Sequence, residues 1–163
     1  MKTSIVYFSK FGNTKRIAEA IAETMRQAGD VRVLSLGQLA ASDLEGVDLV
    51  VMGSPTHAFS LPVEVRAILE ALPRGILAGK SVAGFDTTVK PWPLRLMRAS
   101  PKLLRQLLRL GGKPAAQSET FFVQTRNPQK SGQIDLLLED ELDRARQWAG
   151  EILRQLGKAV PEK

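Results

Sequence analysis

Two hydrophobic periodicities alternate along the chain. Residues 2–8 contain Ile5-Val6-Tyr7-Phe8, a short apolar run of strand composition. Over residues 13–28, Ile17, Ile21, Met25 and Ala28 recur at intervals of four and three, which predicts a helix with one buried face, closed by Gly29-Asp30. Val31-Arg32-Val33-Leu34 alternates and reads as a second strand, and residues 36–45 form a connection of small and polar residues. Asp48-Leu49-Val50-Val51-Met52-Gly53 is nearly unbroken in its apolar character, the pattern of a strand buried on both faces. A helix over 63–72 is stopped by Pro73 and Gly75, a fourth strand spans 81–86, and a fifth spans 119–124. The last helix, 139–156, repeats Leu142, Ala145, Ala149, Ile152 and Leu156 at spacings of three and four.

Between the fourth and fifth strands, Pro101 decides the reading. A proline removes an interior helical hydrogen bond and pushes its predecessor out of the helical region, so a straight helix over 94–110 is disfavoured. Ser100-Pro101 instead predicts an N-cap and first helical position, with Gly111-Gly112 as the stop, and leaves 87–99 as an extended loop or short turn. Strands alternating with helices in this way imply an α/β fold, a doubly wound five-stranded parallel sheet of order 2-1-3-4-5 with helices on both faces. In such sheets the ligand crevice lies at the carboxyl ends of strands one and three. The two loops richest in turn residues, Ser9-Lys10-Phe11-Gly12-Asn13-Thr14 and Ser54-Pro55-Thr56-His57-Ala58-Phe59-Ser60-Leu61-Pro62, follow those two strands.

Length adds that 163 residues suit one domain, taken as 1–158 with a short tail at 159–163. The longest apolar runs fall far short of the roughly 20 residues that cross a bilayer. The start of the chain lacks a signal-peptide pattern, and with no cysteine present the expected location is cytoplasmic. Charge changes the picture more. The net charge is +6, yet Lys90, Arg95, Arg98, Lys102, Arg105, Arg109 and Lys113 are seven bases in a segment without an acid, which leaves about −1 for the rest. The ordinary reading is a helix with Leu103, Leu104, Leu107 and Leu108 inward and Lys102, Arg105 and Arg109 in water; contact with an acidic partner or an anionic membrane surface is the other. Nucleic acid is disfavoured, because the basic residues lack interleaved stacking aromatics.

The loop after strand one aims backbone N–H groups and hydroxyls at the N-terminus of the first helix, which suits a phosphate; an ordinary helix cap is the alternative. It lacks the Gly-Lys-Ser/Thr ending of a nucleoside-triphosphate loop, and no G-x-G-x-x-G occurs. Ser9 and Gly53-Ser54 stand where a receiver domain would carry acids. The single His57 leaves no second imidazole for a triad or a metal cluster.

Ser9-Lys10-Phe11-Gly12-Asn13-Thr14 resembles the phosphate-binding loop of the flavodoxin family. Gly53-Ser54-Pro55-Thr56-His57 is similar to that family's flavin-facing loop, and Phe121-Phe122-Val123 with Glu141-Leu142-Asp143-Arg144-Ala145 and Trp148-Ala149 to its last strand and helix. The resemblance implies a flavodoxin-like three-layer sandwich holding FMN without a covalent bond. Ser9, Gly12, Asn13 and Thr14 would hold the phosphate, with Lys10 as an addition and Phe11 within the same loop. Pro55, Thr56, His57, Ala58 and Phe59 would lie against the ring, and the stretch from Asp86 through Thr87 and Thr88 to Trp92 would close the other side. For His57 a solvated loop residue, and for Asp86 a turn or cap residue, remain the plain alternatives; Trp92 could cover the flavin, pack on an apolar edge or meet a partner.

Two departures from the family pattern stand out. Many flavodoxins stack a tyrosine on the flavin, whereas Tyr7 lies inside strand one, so Phe59 or Trp92 would take its place. Flavodoxins are commonly acidic, and this chain is basic. The implied function is electron transfer to a redox partner protein, or small flavin-dependent redox chemistry on a small-molecule substrate. Alternatives are a dedicated flavin oxidoreductase, such as a quinone reductase or flavodoxin-type protoporphyrinogen oxidase, and a non-catalytic binding module of the same fold.

Overall fold

A computed structural model describes residues 1–58, 60–89, 98–124 and 136–159. The strands are β1 (Lys2–Tyr7), β2 (Asp30–Ser35), β3 (Leu49–Pro55), β4 (Ser81–Val89), β5 (Lys113–Pro114) and β6 (Glu119–Val123). The helices are α1 (Asn13–Met25), α2 (Val63–Ala71), α3 (Ala99–Arg109) and α4 (Glu141–Gln155). All strand pairs are parallel, in the order β2-β1-β3-β4-β5 with β6 also on β4.

Among the described residues the sheet has six strands, not five. β3 occupies one side of β4 from Ser81 to Thr87, so β5 and β6 share the other side, β5 against Ser81 and Val82 and β6 against 85–89. β5 escaped the sequence reading because two residues, one of them a proline without an N–H, show no period. The order of the remaining strands is as the periodicity implied.

The apolar stripes fill two cores, one on each face. Ile17, Ile21 and Met25 of α1 and Ala145, Trp148 and Ile152 of α4 pack with Ile5, Val51, Phe85 and Phe121. Val65 and Leu69 of α2 and Leu103 and Leu107 of α3 pack on Val6, Val50, Met52 and Val82. Phe85, Phe121 and Trp148 meet edge to face with centroids 5.9–6.2 Å apart, the arrangement that ring quadrupoles favour. β3 is buried through Ser54, which is why its sequence is so uniformly apolar.

Helix boundaries move by three residues at most, and at α3 the shift changes the cap. That helix begins at Ala99 with Arg98 as its N-cap, which places Pro101 in the first turn where its missing N–H removes no helical bond. Ser100 is therefore helical and buried, its hydroxyl 3.3 Å from that of Thr120. Leu103 and Leu107 point inward as expected, but Leu108 is exposed and Leu110 takes the buried place. Residues 90–97 of the basic segment, including Trp92, lie outside the described residues, as does Phe59.

Gly53 of β3 sits opposite Phe85 of β4, and a Cβ there would stand 2.1 Å from the Phe85 ring. Only a glycine leaves room for the ring at the strand end that leads into the second loop. Gly53→Ala is expected to lower stability by about 1–3 kcal/mol in urea denaturation. Gly37→Ala, with nothing within 4 Å, should stay within about 0.5 kcal/mol.

Candidate functional site

The register of β1, β3 and β4 brings three carboxyl-terminal ends side by side, Tyr7 beside Gly53 and Pro55 beside Thr87. The loops leaving β1 and β3, with the end of β4 itself, line a cavity of about 360 Å³, inside the roughly 300–1,000 Å³ range of small-molecule sites. Its wall comprises Ser9, Lys10, Phe11, Asn13 and Thr14 from the first loop and Pro55, Thr56, His57 and Ala58 from the second. Thr87, Thr88 and Val89 of β4 form another side.

The first loop turns at Gly12, whose φ of 89° is left-handed and disfavoured for any residue with a Cβ. The Gly12 N–H donates to Ser9 Oγ at 3.0 Å, folding the loop back on itself. Gly12 is also the N-cap of α1, and no side chain caps that helix. The first amides of the helix therefore have no partner in its own first turn, and they sit beside Asn13 and Thr14 on the cavity wall. The loop thus caps the helix through the Gly12 backbone alone, whose carbonyl accepts from the Arg16 N–H at 3.0 Å. Uncapped amides at the positive end of a helix dipole suit an anion.

Several side chains on the wall are already committed to the protein. Asn13 Oδ1 accepts from the Leu136 N–H at 3.3 Å, which ties the first loop to the segment entering α4. The buried hydroxyls of Thr14 and Thr87 lie 2.8 Å apart and join α1 to β4. Lys10 Nζ is 3.7 Å from Glu64 of α2, a half-exposed ion pair, of a kind worth about 0–1 kcal/mol. Phe11 is exposed.

In the second loop the Thr56 N–H donates to the Thr87 carbonyl at 2.9 Å. His57 and Ser60 exchange two backbone hydrogen bonds of 2.9 Å, and the tight turn between them holds Ala58 at a φ of 45°. His57 and Ala58 are exposed at the mouth. Lys102 Nζ of α3 reaches Ser60 Oγ at 3.3 Å, so the basic helix abuts this loop.

Asp86 and Gly12 do not line the cavity. Gly12 shapes the loop from beneath, and Asp86 is fully buried behind the wall. Sequence reasoning included Val89 only within the stretch from Asp86 to Trp92 and passed over Pro62, Val123 and Leu136, which complete the lining among the described residues. Val123 had a usable signal, since it ends a strand next to the crevice edge. Leu136 had none, because what places it is the long-range bond to Asn13. Among the described residues no group of acidic and histidine side chains could hold a metal ion, and no helix is long and apolar enough to cross a membrane.

Comparison with known proteins points the same way. A family model described as "Flavodoxin domain" matches residues 4–147. A flavodoxin of Clostridium saccharobutylicum is 30% identical over 89 residues, 53% of this chain and 56% of the relative. An NAD(P)H dehydrogenase (quinone) of Acidovorax ebreus is 29% identical over 112 residues, with the same shares covered. The chain thus spans about half the length of these curated relatives. The crystal structure of oxidised flavodoxin 2 from Bacillus cereus superposes with a TM-score of 0.74 at 22% identity, covering 95% of this chain and 99% of that one, a likeness of fold.

The hydroxyl pair offers a direct test. Thr14→Val or Thr87→Val alone strands one buried hydroxyl and is expected to cost about 1–3 kcal/mol in urea denaturation. The double variant removes both and should cost less than the sum of the singles.

Proposed function

The chain belongs to the flavodoxin domain family, whose members bind FMN, and we propose that it is an electron carrier that holds FMN in the cavity at the ends of β1, β3 and β4. The observation that carries this is the uncapped start of α1 opening on a cavity whose far side is the second loop. The amides that follow Gly12, with the Ser9 hydroxyl, would hold the phosphate, and Lys10 would add a cation without being required. Pro55 to Ala58 would flank the ring on one side and Thr87 to Val89 on another, with Val123 and Leu136 supplying apolar wall. Bound FMN would supply one- or two-electron redox chemistry, which the chain tunes through the groups around the ring.

The residues themselves do three things. The committed hydroxyls and the Asn13 to Leu136 bond keep the first loop, β4 and the entry to α4 in one arrangement before anything binds. The apolar wall excludes water from the ring side. The outward bases of α3, Lys102, Arg105 and Arg109, lie next to the mouth through the Lys102 contact with Ser60, and suit an acidic redox partner.

A second reading, a quinone-reducing flavin enzyme, is supported by the named relative of that activity and by the apolar residues Pro55, Pro62, Val89, Val123 and Leu136 around the cavity. Steady-state oxidation of NAD(P)H with a benzoquinone separates it from a carrier, which would show no such turnover.

The FMN reading predicts a yellow protein with a two-band flavin spectrum; failure to take up added FMN under native conditions sinks it. Gly12→Ala, which forces a side chain into a left-handed backbone at roughly 1–2 kcal/mol, should weaken FMN binding about tenfold. Riboflavin, which lacks the phosphate, should bind parent and variant within about twofold by fluorescence titration.

A further inference from the structure

One buried ionisable side chain beside the cavity has no part in the scheme above. Asp86 is fully buried near the end of β4. Side chains alternate along a strand, and a Cβ on Gly84 would meet the backbone of Leu104, so Asp86 looks toward α3 as Gly84 does. Its Oδ2 accepts from the Thr56 hydroxyl and from the Ala99 N–H, the latter at 2.8 Å. The same N–H also reaches Thr56 Oγ1 at 2.9 Å. Oδ1 is buried and has no partner among the described residues.

One carboxylate therefore joins the second loop, β4 and the first residue of α3 inside the protein. Burying such a group is costly without compensation. Here the compensation comes from two accepted hydrogen bonds and from the positive end of the α3 dipole. Thr56 belongs to the cavity wall, so the carboxylate stands one side chain behind it.

We propose that Asp86 is a positioning residue that also sets redox potential: it fixes the Thr56 loop against α3, and its charge behind the wall opposes the gain of electrons by a flavin in the cavity. The second half rests on the FMN reading. When a reductant such as dithionite delivers two electrons and solvent one proton, the ring gains one negative charge. A nearby carboxylate in a poorly screening interior disfavours that gain, so FMN is held less tightly when reduced and the midpoint is kept low.

Asp86→Asn keeps size and an acceptor oxygen but removes the charge. In FMN-loaded protein it should lower the ratio of reduced to oxidised dissociation constants roughly tenfold, an upward shift of about 30 mV in the two-electron midpoint. An unchanged midpoint in anaerobic titration overturns the electrostatic role. Asp86→Ala removes the anchor, and in flavin-free protein the Ala99 amide should exchange hydrogen at least about tenfold faster; parent-like exchange overturns the positioning role. Should neither variant fold, Thr56→Val deletes only the hydroxyl donor and should speed the same amide at least about threefold, with no change again counting against the proposal. If the parent protein takes up no FMN, the proposed function and the electrostatic role both fall, while the exchange measurements still decide the anchor.

Discussion

Parallel pairing of β1, β3 and β4 in one register is the constraint on which the cavity depends. Because Tyr7, Gly53 and Phe85 lie side by side, with β3 and β4 running on a little past β1, the loops after β1 and β3 meet over a common floor beside the end of β4. A slip of one residue in any pair would turn every side chain of that strand to the other face. Thr87 would then no longer meet Thr14, and Phe85 would leave the aromatic cluster beneath the site. The two cores hold that register from both faces, so packing far from the mouth governs the geometry at the mouth.

The division of labour among polar groups follows from that floor. Side chains of Asn13, Thr14, Thr56 and Thr87 are spent on bonds within the protein, whereas the start of α1 is left without a side-chain cap. Rigid side-chain bonds fix the loops, and backbone amides are what remains to meet an anion. That division suits a cofactor recognised mainly by its phosphate and by apolar contact with its ring. The neighbouring bases of α3 give the mouth a charge unlike that of an acidic carrier.

Most of the architecture was legible because its determinants are local. The four-and-three spacing in α1 and α4, the apolar run of β3 and the turn residues after β1 and β3 each speak for themselves in sequence. The cavity wall was legible where a loop follows a strand, hence Ser9 to Phe11, Asn13, Thr14 and Pro55 to Ala58. Failures came where a distant partner decides the outcome. Asp86 has the composition of a strand-end turn residue, but it faces inward because Ala99 and Thr56 converge on it. Leu108 fits the apolar stripe of α3, yet it is exposed and Leu110 is buried in its stead. β5 has no pattern at all, since its two residues are strand only by virtue of β4.

The divided strand on the far side of β4 bears on how copies of the molecule meet. An intact outer strand offers a row of free N–H and C=O groups on which another chain can extend the sheet. Here that border is interrupted over residues 115–118, and its first piece contains Pro114, which has no N–H to donate. Ala115 and Ala116 turn inward within the break, and the Ala115 N–H is already bound to Val82. The border is thus poorly suited to templating a sheet shared between copies of this chain.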